Sequence, residues 1–448
     1  MYIVASPDLV AACDRRAKIV SFAPYVVAFA KRILAASQDS IALLSEDLLE
    51  DKRSLTLRPE TMKVMHRALM PGEGLDEILQ TVIEEISSFC DTEIGNGNQT
   101  DVPLFQWIRV NYDLIRLERA VDKDFALLGL RMLPSLIAPV GSSGRERFFD
   151  AFRNYYAADS LKTASHFVRV RYDVNKRFSV STEDIAHFDL GICTALLVNT
   201  VPAVWWTLYH VFSEQALLIE LRQGIDSVAL RQSKSNPDRS TCTSVSIPDI
   251  IAAFPLLESL VKEVLRVHSN SMSARLVLKD TIIEDGRGAA YLLKTGSFLA
   301  MPSAPIHASE DCWGPRASTF DPSRFLSLHR DKMPRSAYRA FGGGNALCPG
   351  RHFAMNEIMS ILVIVVMRYD IVPLDGQWRA PRTRDHISTS VMTPAKDFPV
   401  RIQPRESHPE PFACALKAMS DKVKELFMTT IRRIGIGGWR IASFWHNR

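Results

Sequence analysis

The chain has 448 residues, 47% of them hydrophobic and 23% charged, with a formal net charge of +4. These are globular proportions, sufficient for one large catalytic domain around a buried cofactor, and they argue against long disorder and against nucleic acid as a partner. The seven cysteines include no Cys-x-x-Cys pair, against a zinc module or a disulfide framework, and no run of about 18 apolar residues marks a transmembrane helix or signal peptide.

Tyr2 to Val4 reads as the end of a strand and Pro7 opens a helix, so the chain begins mid-fold. From Leu43 to about Arg177 the pattern is helical, with breaks at Pro71-Gly72, Gly95 to Gly97, Pro134, Pro139 and a loop at Gly141-Ser142-Ser143-Gly144. Ser181 to Asp184 offers capping hydroxyls and first-turn acids to a long, buried apolar helix that runs to Phe212 and is kinked at Pro202. A second helix covers about Ser213 to Arg222 and stops at Gly224. A polar segment from Ser233 to Thr243 precedes a helix opened by Pro255, whose Leu257, Leu260, Val261 and Val264 share one face. Short strands with glycine turns follow from Arg275 to about Met301. The last long helix covers about Pro349 to Arg368, and strand-like pieces return up to about Ile402.

Chemistry concentrates at Phe341-Gly-Gly-Gly344-Asn-Ala-Leu-Cys348-Pro-Gly350, immediately before that last helix. Glycines let the backbone turn tightly and approach a flat cofactor where a Cβ would collide. Cys348 is expected to cap the helix, with Pro349 in its first turn, so that free amides and the positive helix end stabilise a thiolate. A thiolate bound to haem iron favours cleavage of the O–O bond of dioxygen.

The string Phe341-x-x-Gly344-x-x-x-Cys348-x-Gly350 resembles the haem-binding signature of the cytochromes P450. The resemblance implies a mainly α fold with a minor β region, the cytochrome P450 fold, with Cys348 as the iron ligand and Phe341, Gly344 and Gly350 shaping the haem bed. Family members often carry an arginine two residues before the cysteine, against a haem propionate; this chain has Ala346, which moves that role elsewhere. Arg275 resembles the family's propionate-pairing arginine. Glu263 and Arg266 share a helix face, and with Arg324 of the Phe320-Asp-Pro-Ser-Arg324-Phe325 segment they are similar to the family's structural triad.

On the long central helix the family usually has an acid and a threonine beside the iron. Here the sequence is Ala195-Leu-Leu-Val-Asn199-Thr200-Val-Pro202, without an acid. The Asn-Thr-x-Pro pattern and Trp205 resemble the branch of bile-acid 7α-hydroxylases and, less closely, prostacyclin synthase. Asn199 and Thr200 are therefore the candidates for handling oxygen or an ordered water, with carbonyls freed by Pro202 helping to hold it. Leu196, Leu197, Val198 and Ala203 would serve equally as pocket wall or core. Phe22, Val26, Phe29 and Ser390 to Met392 are similar to pocket-lining segments.

The resemblance covers about Met1 to Arg405 and divides the chain into a catalytic domain, 1–405, and a basic C-terminal extension, 406–448. Tyr112 to Phe125 fits it badly. Members of the branch usually begin with a membrane anchor, a proline-rich hinge and further strands, so an incomplete N-terminus is the expectation. The implied function is a fungal haem monooxygenase of secondary metabolism. It would oxidise an apolar sterol or terpenoid with O2 and electrons from NADPH through cytochrome P450 reductase, on the cytosolic face of the endoplasmic reticulum membrane. The extension is a candidate for lying on a membrane surface. The alternatives are a reductase-independent isomerase or dehydratase acting on a peroxide, and a non-catalytic haem-binding remnant.

Overall fold

Helix-capping chemistry and all-round apolarity set the centre of the fold. Ser181 caps the helix Thr182–Ser213, its side chain accepting the Asp184 amide, and the half beyond Pro202 is buried, with Trp205, Leu208 and Val211 fully enclosed. The protein is described here from a computed structural model that places residues 1–46, 48, 55–93, 99–109, 121, 123–130, 134–234, 246–326, 334–384 and 389–405. The basic extension, Gly95 to Gly97, and most of Tyr112 to Phe125 and of Ser233 to Thr243 lie outside the described residues.

The fold is mainly α with a minor β region, as the resemblance implied. The central helix packs against the helices Leu256–His268 and Arg351–Arg368, and these three share the largest apolar core. Each large side chain sealed there contributes roughly 1.5–3 kcal/mol of burial free energy. Among the described residues, Thr182–Ser213 is also long and apolar enough to cross a membrane, but its packing identifies it as the interior helix of this domain.

Asp184 locks the start of the central helix to its surroundings. Its carboxylate accepts from the Ser37 amide at 2.8 Å, the Ser37 hydroxyl at 2.6 Å and the Ser40 hydroxyl at 2.9 Å. Burial works against the charge, but these bonds prevail and hold the carboxyl below its ordinary range.

The β region is small. One sheet runs Tyr2–Ile3, Phe298–Pro302, Met272–Val277, Val20–Ser21, the first pair parallel and the others antiparallel. A hairpin joins Thr281–Glu284 to Ala290–Leu293, and Pro399–Pro404 lies between Thr100–Pro103 and Tyr369–Pro373.

Two sequence readings are corrected. Gly141 to Gly144 is no loop: it lies inside the helix Pro139–Ala157, where Gly141, Gly144, Arg145 and Phe148 form the buried face. Gly224 ends nothing, because its helix runs Gln215–Lys234. A Cβ there would come within 2.5 Å of the Phe254 ring, so the glycine makes room for a neighbour rather than for a turn.

Candidate haem-thiolate site

The last long helix begins at Arg351 with Gly350 as its N-cap, so Cys348 and Pro349 precede it and the expected capping by Cys348 is not observed. The turn before it holds the cysteine instead. The Cys348 amide donates to the Phe341 carbonyl at 3.0 Å. Burial pushes the Cys348 thiol up, while the Gly350 N–H and the Arg351 charge pull it down. Left to itself the thiol would stay protonated, and a cation at the sulfur would favour the thiolate.

The glycines work by close approach. Gly344 has φ +60°, and a Cβ on it would sit 2.9 Å from the Asp14 side chain; one on Gly343 would meet the Arg339 guanidinium at 2.6 Å. Asp14 pairs with Arg339 at 2.9 Å, fastening the loop to the N-terminal helix Pro7–Arg15.

Cys348 borders a cavity of about 330 Å³, within the usual range for small-molecule sites. Phe341, Ala346, Gly350 and Ala354 flank the cysteine, and Ala195, Leu196, Asn199, Thr200 and Ala203 of the central helix line the cavity with them. Arg275 also lines it. That side chain is 3% exposed, lies over the Phe22 ring, stands 4.0 Å from Asp14, and its Nη2 has no hydrogen-bond partner. A buried guanidinium with an unmet donor suits an anionic group such as a carboxylate arm of a cofactor. Sulfur, apolar walls and this cation together fit a haem.

The structure brings together Glu263, Arg266 and Arg324. Glu263 is wholly buried and accepts from Arg266 Nε at 2.8 Å, Arg266 Nη2 at 2.7 Å and Arg324 Nε at 3.0 Å. The two guanidinium groups go on to the carbonyls of His307, Ala317, Trp313, Arg316 and Thr319.

His307, which sequence reading missed, links this network to the cysteine loop. Its Nδ1 lies 2.9 Å from the Arg266 carbonyl, and its Nε2 accepts the Arg339 amide at 2.9 Å. Those partners fix the neutral imidazole with its proton on Nδ1. Burial lowers its pKa to about 4, against the bond to Arg266.

Opposite, both oxygen-side candidates border the cavity. Asn199 Oδ1 accepts the Ser390 amide at 2.7 Å, and Thr200 donates to the Leu196 carbonyl at 2.9 Å. Asn199 thus joins the central helix to the segment Ser390 to Met392, which Trp206 also holds through the Met392 carbonyl at 2.7 Å. Of the candidate wall residues, Phe22, Leu196, Ala203, Ser390 and Val391 line the cavity. Leu197, Val198, Val26, Phe29 and Met392 are not among its lining residues.

One further group had escaped notice. Glu357, on the helix Arg351–Arg368, lies behind the wall with an enclosed Oε2 that has no partner. Burial pushes its pKa up to about 7.

A family model described as Cytochrome P450 matches residues 157–400. The chain is 28% identical to a cytochrome P450 monooxygenase, nodJ, of Hypoxylon pulicicidum, over 91% of this chain and 81% of the relative. It is 25% identical to a cytochrome P450 monooxygenase of Gibberella zeae, over 89% and 79%. A 25-hydroxycholesterol 7-alpha-hydroxylase of Rattus norvegicus is 24% identical, over 69% and 82%.

Proposed function

Since the chain belongs to the cytochrome P450 family, a family of haem-thiolate oxidoreductases, we propose that Cys348 is its iron ligand and that it oxidises an apolar sterol, terpenoid or similar secondary metabolite. The observation that carries the reading is Cys348 on the wall of a cavity whose apolar face is supplied by the central helix and whose buried cation is Arg275. A haem held there supplies the dioxygen-activating chemistry of the family.

The protein's own residues divide the remaining work. Arg275 neutralises an anionic arm of the cofactor, and the Glu263, Arg266 and Arg324 network keeps the cysteine loop in place. Phe22, Leu196, Ala203 and Val391 exclude water and present an apolar surface to substrate. Asn199 and Thr200 handle protons and water on the oxygen side. The 7-alpha-hydroxylase among the relatives supports a sterol-like substrate, and the fungal relatives support a role in secondary metabolism. Electrons come from NADPH through a separate reductase, in one catalytic domain spanning 1–405 at the cytosolic face of the endoplasmic reticulum membrane.

The test is reconstitution with a cytochrome P450 reductase, NADPH and isotopically labelled dioxygen, over a panel of sterols and terpenoids. The expected result is NADPH-dependent transfer of label into product. One observation favours a second reading, a reductase-independent isomerase or dehydratase: no acid lies on the central helix beside Asn199 and Thr200. Turnover of a peroxide substrate without NADPH selects it.

A further inference from the structure

The segment Ser390 to Met392 borders the cavity through Ser390 and Val391, and it is fastened from behind. Asn270 gives its amide to the Ser390 carbonyl at 2.8 Å, and Ser269 bridges to Val391. Met392 is held at both backbone groups: its amide donates to the His268 carbonyl at 2.9 Å, and its carbonyl accepts from Trp206 Nε1 at 2.7 Å. His268 and Trp206 are themselves stacked, with ring centroids 3.7 Å apart and planes 9° from parallel.

A second contact locks that stack. His268 ends the helix Leu256–His268, and its Nε2 lies 2.8 Å from Nε2 of His210 on the central helix. His210 in turn stacks on Phe320 at 3.8 Å. Phe320 precedes Asp321, whose amide donates to Glu263, so the run of rings reaches from the cavity wall to the Glu263 network. Burial keeps both imidazoles neutral: it lowers the pKa of His210 to about 4, and it lowers that of His268 too, with His210 and Arg266 adding to the effect.

Two neutral imidazoles bond to each other only as one donor and one acceptor. His268 Nδ1 is enclosed and has no partner among the described residues, and a proton there would be an orphaned buried donor, which folded proteins rarely keep. His268 therefore carries its proton on Nε2 and donates it to His210, whose own proton sits on Nδ1.

We propose that the pair His210 and His268 sets the position of Ser390 and Val391 against the substrate, and so determines which apolar molecules the cavity accepts and where on them oxidation falls. The inference rests on the cavity being the substrate pocket of a haem monooxygenase. Neither imidazole is among the lining residues, so both are positioning residues. A directional bond suits that task, because it fixes the separation and orientation of two helices that apolar packing alone would let slide.

The test uses the haem-loaded full chain and two azoles that bind haem iron through nitrogen, imidazole and 1-dodecylimidazole, whose alkyl chain needs an apolar wall. His210→Leu should weaken 1-dodecylimidazole roughly threefold to tenfold, the factor set by one lost hydrogen bond. Imidazole affinity and the carbon monoxide spectrum should stay as they are. His210→Gln, which offers a carbonyl oxygen where Nε2 stood, should restore the lost affinity. Trp206→Phe keeps a ring against His268 but removes the donor to Met392, and should show the same selective loss. With any sterol or terpenoid that the wild type oxidises, the ratio of regioisomeric products should change in His210→Leu.

Nitrogen NMR of the wild-type ferrous carbon monoxide complex, which is diamagnetic, should find His210 and His268 in opposite tautomers, a result independent of how the variants fold. Equal tautomers overturn the inference, as do variants that bind 1-dodecylimidazole like the wild type or lose both azoles alike. A wild type that binds both azoles but never consumes NADPH fails the monooxygenase reading instead, and the affinities still judge the pair.

Discussion

On the wall that carries Cys348, charge is fixed by several bonds at once: Glu263 is held by two arginines, the arginines by backbone carbonyls, and His307 spans from Arg266 to the amide of Arg339. On the wall formed by the central helix, a single amide oxygen of Asn199 and a single hydroxyl of Thr200 do the polar work. The contrast separates two demands. A metal ligand must be held in one geometry, which takes redundant bonds from several elements. A surface that accommodates substrate, water and a moving proton is better served by few and weaker attachments.

The contrast is broken most severely at the sulfur. Cys348→Ser should abolish the red-shifted Soret band of the ferrous carbon monoxide complex, and Cys312→Ser should retain it; a Cys348→Ser protein that keeps the band refutes the ligand assignment. Next comes Glu263→Gln, which leaves the buried guanidinium of Arg266 and the half-buried one of Arg324 facing a neutral amide. Breaking such a network costs about 3–5 kcal/mol. Urea unfolding should report it, with Arg324→Lys losing less because Arg266 keeps both its bonds to Glu263.

Acid should attack the same wall. His307 has a folded pKa of about 4, against 6.5 when unfolded, so the unfolded chain binds the extra proton between those values. The contribution of His307 to stability is therefore complete above about pH 6.5 and is lost as pH falls toward 4. Melting temperatures across that window should fall, and His307→Gln should flatten the slope; a melting temperature that is level from neutrality to pH 4 contradicts the neutral tautomer.

The smallest effect belongs to the other wall. Asn199→Ala removes the acceptor of the Ser390 amide, a loss of roughly 0.5–1.5 kcal/mol. Substrate KM should change while the carbon monoxide spectrum stays as it is.

How much of this was legible in the chain follows the same division. Cys348, Glu263 and Arg266 announce themselves through short-range spacing, and Arg324 and Arg275 through the motifs around them. Asp14 and Arg339 do not, because their meaning lies in a contact across 325 positions that no local pattern encodes. His307 is likewise an ordinary residue until its two backbone partners are known. Glu357 did leave a signal, as the only carboxylate between Arg351 and Asp370 in a mostly apolar run, but nothing local says that its Oε2 is enclosed. The misread glycines lie within helices: Gly141 and Gly144 sit on a buried helix face, and Gly224 is small so that the Phe254 ring can pack, which composition alone does not distinguish from a turn.

The ion pair between Asp14 and Arg339 also orders events in time. Synthesis delivers the first helix early and the glycine turn only after most of the chain has emerged. Until then the acid at its end lacks its 2.9 Å partner and the cysteine has no bed. Cofactor capture therefore has to follow the closing of this long loop, and the nascent polypeptide depends on that last clasp before it can hold a prosthetic group.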